Sequence, residues 1–514
     1  MPRQHSEHGG TGVPTPSLDR IPDQRFGYDE ARHLLWRAGF GGTPRQIRTL
    51  AEMGPRRAVA FLVNVDEIEG YPRPTARSFE HDLMSWGERE RMAFQRARAA
   101  RDEEALARLR GERERRQQQD RAQIRAMQRW WLTRMIETPR PLEEKMTLFW
   151  HGHFATNYRT IENSYHMFLQ NQLFRSEAVG SFETLLHGIV RDPAMLRYLD
   201  NHNSRQGAPN ENLARELMEL FSLGEGNYSE RDIKEGARAL TGHTYEGNEF
   251  VFREEWHDSG AKRVLGRSGN FAGEGFVKAI LARQACAEFI CFKLYRFFVG
   301  DLGAPGSSRR EVSETVVRRL AGTLRRSDYR LAPVLTELFE SEHFYDEANE
   351  LTRIKSPAEL VVGSVRALGT PTRDVGTLVD SLDRMGQNLL FPPSVKGWDG
   401  ERSWINTSTM FVRQNVLNFL LTGRTMRGWD EDAQREAYDP RALLTDLAEV
   451  DPGSEKDPRV VVRYLLRANI GGEPTAGALD ALDGFMASVD DRVTRDTLVG
   501  LLSLIASMPE YQLT

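Results

Sequence analysis

Almost every long segment of this 514-residue chain repeats its apolar residues at spacings of three and four. At 100° per residue such a spacing lines up as one stripe on a helix, and a stripe of that kind has to be buried against something else. Ala31, Leu34, Leu35 and Ala38 form one such stripe in DEARHLLWRAG, and Thr43-Pro44 beyond GFGG reads as the N-cap and first turn of a second helix. PLEEKMTLFW, the stretch from Glu162 to Arg175, SFETLLHGIVRD, PAMLRYLD and NENLARELMELFSLG follow the same rule. Strand-like alternation is confined to TYEGNEFVFREEW, between Thr244 and Trp256, where Glu246-Gly247-Asn248 predicts the turn of a hairpin. The expected fold class is therefore mainly α: a multi-helical globular bundle with one small β-hairpin and a long charged helical segment. No sequence repeat of fixed period is present.

With 39% hydrophobic residues, nine Trp and 25 Phe, the chain can bury a core without disulfides. Cys286 and Cys291, five apart in ACAEFICFKLYRFFV, fit neither a CxxC nor a common zinc pattern and are expected to be core thiols. The formal net charge of −5 supplies no bulk attraction to nucleic acid or to an anionic membrane. No apolar run reaches the roughly 18 residues that a membrane span needs, and no signal-like segment is visible, so the chain as it stands is expected to be cytoplasmic. Residues 1–26, polar and rich in Gly and Pro, are expected to be a disordered leader, and 27–514 one helical domain.

From about Ser78 to Glu137 the chain is dense in Arg, Glu, Gln and Ala, which predicts one very long helix or a helical pair, with Gly111 the weak point. Interleaved Glu and Arg favour a solvated, ion-paired face over a coiled-coil partner site or a nucleic-acid arm. Its apolar end, Trp130, Trp131, Leu132, Met135 and Ile136, is expected to dock on the core before ThrProArgPro ends the helix.

Three constellations offer chemistry. In FWHGHFAT, His151 and His153 stand about 200° apart if helical, but an extended backbone at Gly152 would point both at one metal. In APNENLARELMELFSLGEG, Asn210 reads as an N-cap, Glu211, Arg215 and Glu219 share a face suited to i,i+4 ion pairs, and Glu216 sits nearer the apolar boundary, where a carboxylate needs a partner. In EEWHDSGAKRVLG, adjacent His257 and Asp258 form a candidate ligand pair or oriented base, with Lys262 across a Ser-Gly turn. Each has a structural alternative: a core histidine bonded to a carbonyl, a helix-surface ion pair, and an Asx-type turn. Lesser signals are His202 in LDNHNSRQG, read as turn-forming, and Ser229 with Asp232 as a helix start. FPPSVKGWDGERSW places Lys396, Trp398 and Trp404 in a loop that would make either one wall of a pocket or a packed irregular segment. There is no Walker loop, strand-linked GxGxxG, GxSxG elbow or HExxH.

Several strings, HLLWRAGFGGTP, EKMTLFWHGHFAT, DPAMLRYLDN, PNENLARELMELFSLGEGNYSERDIKEGARALTG, HDSGAKRVLG and FPPSVKGWDG, resemble in order the signature blocks of the bacterial family known as domain of unknown function 1800. The resemblance runs from about Tyr28 to the carboxyl terminus, and against it the charged helical segment at about 78–128 looks like a lineage-specific elaboration. It implies a helical protein of a family in which many members carry export signals and are encoded beside a protein of sulfatase or alkaline phosphatase fold. No reaction follows from it. Two positions depart from the family pattern: Gly152 stands where Asn is usual, and His243 where Trp commonly follows LTG. Both are therefore poor candidates for indispensable chemistry.

Two function classes result. The first is an enzyme, metal-assisted through a divalent transition metal held by His151, His153, Glu216 and His257, with Arg215, Lys262 and Asp258 as catalytic or charge-stabilising groups. The second is a non-catalytic scaffold or partner protein, acting with a neighbour of sulfatase or phosphatase fold, in which the same polar residues only bond to one another. Convergence of the three segments, and the presence of a substrate-sized cleft, separate the two.

Overall fold

The computed structural model describes residues 12–65, 78–81, 83–85, 87–370, 374–425, 428–429, 438–471 and 475–514. Within them 22 α-helices, from Tyr28–Ala38 to Arg495–Ser507, follow one another through short turns, so the chain is mainly α as its periodicity requires. Many helices start on a side-chain cap, as when Thr43 accepts from the Gln46 amide and Ser356 from that of Glu359. The expected hairpin is present as strands His243–Glu246 and Glu249–Phe252, turning at Gly247 with φ 59°. A second hairpin, Lys262–Val264 with Arg267–Gly269, was not foreseen from the sequence. Its three-residue strands are too short to show alternation, and its turn puts Leu265 as well as Gly266 at positive φ. A third ladder pairs Arg424–Thr425 with Gly428–Trp429.

The charged segment is a helical pair, Glu88–Ala100 and Glu103–Glu137. The break falls at Arg101, which is left-handed (φ 52°), and Asp102, whose carboxylate caps the Ala105 amide. Gly111 instead lies inside the second helix. Arg116 closes the pair by donating to Glu90 and to the Ser85 carbonyl. As expected, the apolar end docks: Trp131, Leu132 and Met135 are fully buried.

Of the leader expected at 1–26, residues 1–11 lie outside the described residues, and 12–26 correct the expectation. Leu18, Ile21 and Phe26 are buried, the Ile21 amide donates to the Glu340 carbonyl at 2.8 Å, and the His343 amide to that of Ser17 at 3.0 Å. Three apolar anchors in a polar stretch are enough to pin it, although they are too sparse to show as a periodic pattern. Cys286 and Cys291 are buried free thiols, as expected.

Two apolar clusters make up the core, and the helix Pro141–His153 lies between them. It supplies Leu142, Met146, Phe149 and Trp150 to one cluster and Leu148 to the other. Its charged stretch Glu143-Glu144-Lys145 is entirely buried. Glu144 takes Arg134 Nε at 2.5 Å, Arg175 Nε at 2.8 Å and the Trp131 indole N–H at 3.0 Å, while Lys145 Nζ reaches Glu359 at 2.5 Å. Burying these charges is costly, and removing one partner of such a pair typically costs about 3–5 kcal/mol, because the other charge is left buried and uncompensated.

Candidate functional site

The carboxyl end of that helix meets the irregular 387–404 loop with backbone against backbone. A Cβ built on Gly397, whose φ is 80°, would lie 2.1 Å from the Gly152 carbonyl oxygen, so glycine is required there. Trp398 then covers Gly152, where a Cβ would be 3.6 Å from the indole ring, and its ring centroid is 5.5 Å from that of His151.

Between this junction, the helix Gln284–Phe298 and the Arg353–Ser356 segment opens a cleft of about 320 Å³. Phe149, Phe297, Trp398 and Trp404 give it apolar walls. Lys293, Arg296, Arg353 and Lys396 line it with positive charge, against the carboxylates Asp399 and Glu401. Arg353 is already paired with Glu359 at 3.4 Å, and Arg296 with Glu401 at 2.8 Å. Lys293 has its ammonium 5.1 Å from the Phe289 ring centre, and its pKa is lowered by burial and then by the like charge of Arg296. Among the described residues neither Lys293 nor Lys396 makes an ion pair within 4 Å. The indole N–H of Trp398 and Nε of Arg296 are buried donors without an acceptor. Such a volume is at the lower end of the roughly 300–1,000 Å³ typical of small-molecule sites.

His153 stands on the cleft wall. Its Nε2 is 2.9 Å from the Phe221 carbonyl, which assigns that nitrogen the proton and leaves the lone pair on Nδ1. Burial, with Lys293 nearby, pushes its pKa down to about 3, so it is a neutral hydrogen-bonding group at physiological pH and a weak base. His151 faces elsewhere. The helix continues through Gly152, so the two rings diverge as helical geometry demands, and His151 Nε2 accepts the Leu390 amide at 3.1 Å. Burial among aromatic rings lowers its pKa to about 3.

Glu216 is half-buried near the cleft. Its pKa is raised first by burial and then by Glu219, against the opposing charges of Arg215 and Lys396. Arg215 points to the surface, where it pairs with Glu230 at 2.9 Å and Glu211 at 3.4 Å. Glu219 receives the Tyr228 hydroxyl. The HDSGAK loop is knitted to itself and to the preceding helix. His257 Nδ1 donates to the Thr241 carbonyl at 2.9 Å, and Arg238 grips Asp258 at 2.7 and 3.1 Å, holding its carboxyl down to about 2. The buried ammonium of Lys262 donates to the Asp258 and Gly260 carbonyls. His202 bonds within its turn, at 3.3 Å from the Leu196 carbonyl.

Of the seven residues singled out in the sequence, then, His153 lines the cleft, Glu216 lies close to it through the charge of Lys396, and His151, Arg215, His257, Asp258 and Lys262 serve other contacts. Among the described residues no group of three or more His, Cys, Asp or Glu side chains is arranged to hold a metal ion. The loop residues Lys396, Trp398 and Trp404 do form a pocket wall. Lys293, Arg296 and Arg353 were missed, although the first two had a signal: two cations three apart, hence on one face, in an otherwise apolar helical run.

Fold and site together define a multi-helical protein whose helical core carries a small basic cleft with aromatic walls. The chain belongs to the DUF1800 family, described as proteins of unknown function, whose family model matches residues 33–513. Comparison with curated proteins and with solved structures found no match. No helix among the described residues is long and apolar enough to cross a membrane.

Proposed function

We propose that this protein acts by binding a small organic molecule in the cleft between the FWHGH helix end and the FPPSVKGWDG loop. The observation that carries this reading is Lys293, partly buried and without a carboxylate within 4 Å among the described residues, in a cavity walled by Phe149, Phe297, Trp398 and Trp404. A merely structural junction would pair its charges, as the neighbouring Glu144 network does. A ligand-observed NMR screen of neutral, anionic and cationic fragments tests it, with Gly152→Leu, which fills the cleft from its helix side, as control. Fragments should bind wild type and be lost in the variant; no binding, or binding indifferent to the substitution, would remove the proposal.

The metal-assisted form of the enzyme reading, with a divalent transition metal on His151, His153, Glu216 and His257, has less support, because these side chains do not form a ligand group among the described residues and His151 spends its one ring lone pair on the Leu390 amide. Metal content by plasma mass spectrometry on untagged protein is expected to be far below stoichiometric. Near-stoichiometric metal that is lost in both His151→Ala and His257→Ala would reinstate a shared site.

The partner reading draws on a separate feature, an open groove of about 670 Å³ between the long charged helix and the Val375–Arg384 helix. Arg121, Arg125 and Arg129, one turn apart, line one side and Asp380 and Asp383 the other. A partner of sulfatase or phosphatase fold would engage this face. Co-elution of the two proteins in size-exclusion chromatography, abolished by charge reversal of the three arginines, is the supporting result, and separate elution argues against it.

A further inference from the structure

We infer that the ligand of the cleft is an organic anion with a flat apolar body, and that Glu401 takes the place of its anionic head when no ligand is bound. This deepens the binding reading above and rests on it. One cation of the cleft stands without a close carboxylate: Arg353 is engaged by Glu359 and Arg296 by Glu401, whereas Lys293 has an aromatic ring and the like charge of Arg296 beside it. Positive charge in a partly dehydrated site favours carboxylate or phosphate oxygens, whose hydrogen bonds to charged groups are the stronger kind. The walls supplied by Phe149, Phe297, Trp398 and Trp404 suit a planar body stacked between rings.

Glu401 is the one wall carboxylate that reaches a wall cation, Arg296, at 2.8 Å. It does so from a left-handed backbone, φ 50°, directly after Gly400 at φ 78°. For a residue other than glycine that conformation is sparsely populated, and it persists where the surroundings enforce it. Both side chains are about two-fifths exposed (39% and 42%), so the pair is weak and exchangeable. An incoming anion would take over the Arg296 guanidinium, gain Lys293, and release Glu401 to solvent.

The test is isothermal titration calorimetry on the full chain with four probes of one shape: 2-naphthoate, 2-naphthyl phosphate, neutral 2-naphthol and 2-naphthylmethylammonium. The two anions should bind about tenfold or more tighter than naphthol, and the cation most weakly. The better of the two anions identifies the head group as carboxylate or phosphate. Glu401→Gln should tighten anion binding several-fold while leaving naphthol unchanged, and Lys293→Met should abolish the preference for anions, with circular dichroism confirming that each variant is folded. Equal affinity for charged and neutral probes, or an anion preference untouched by both substitutions, would overturn the inference while the binding reading stands. Binding of none of the four, together with an empty fragment screen, would remove both.

Discussion

His151 and His153 show how burial decides what a histidine can do. Each is held near pKa 3, His151 by burial and His153 by burial with the charge of Lys293, against about 6.5 for a free imidazole, so the unfolded chain binds the proton more readily. Their contribution to stability is therefore full above pH 6.5 and declines as pH falls towards 3, by about 1.4 kcal/mol per pH unit for each ring. Asp192, a buried acid pushed up to about 7, and the raised acids Glu216, Glu340 and Glu350 work in the opposite sense, but His33, His166, His243 and His343, each lowered by burial, act with the two rings. The melting temperature should fall between pH 7 and pH 5, and His151→Gln, which keeps an acceptor for the Leu390 amide, should flatten that decline. An unchanged slope in the variant would show that this ring is not buried neutral. At the same scale, Glu359→Gln leaves the buried ammonium of Lys145 without its charge partner. A loss of about 3–5 kcal/mol in denaturant unfolding is expected.

Among the elements, the junction of the Pro141–His153 helix with the 387–404 loop depends on Gly397. Gly397→Ala places a methyl group against the Gly152 carbonyl at a positive φ and should both lower the melting temperature by several degrees and abolish ligand binding in the cleft. Gly111→Ala is the contrasting case. Nothing lies within 4 Å of the added methyl group, and the position is helical, so the long helix should gain up to about 1 kcal/mol. Thermal unfolding of both variants, followed by circular dichroism, checks the pair; similar effects in the two would mean that the close approach at Gly397 is not what holds the loop.

For the molecule as a whole, the two apolar clusters share the helix Pro141–His153, and Arg37, fully buried, donates to the carbonyls of Phe298, Asn349 and Thr514. Ties of this kind between distant parts of the chain argue for one cooperative unit, and scanning calorimetry should give a single transition with equal calorimetric and van't Hoff enthalpies; two resolved transitions would separate the clusters into independent domains. Much of this architecture was legible along the chain. A period of 3.6 is imposed by local geometry, so Leu34 and Leu35, or Leu213 and Leu217, announce a buried helix face without knowledge of what covers it. The charged segment was readable as one long helix or a helical pair but its break was not, since Gly111 drew attention away from Arg101-Asp102, and the Lys396–Trp404 loop was readable as either a wall or a packed segment. What stayed hidden were the relations between segments. Whether His151 and His153 share a target depended on whether the helix runs through Gly152, which Trp398 and Gly397 packing on that helix end accompany. Lys293, Arg296 and Arg353 belong to one cleft only because separate segments meet there, and no local spacing records that meeting. The sequence by itself therefore determined the helices, their buried faces and the family, because those follow from short-range periodicity and chain-long blocks; only the tertiary structure decided which charges are paired, which lysine is left without a carboxylate, and where the cleft lies, because burial and electrostatic compensation are properties of side chains brought together in space.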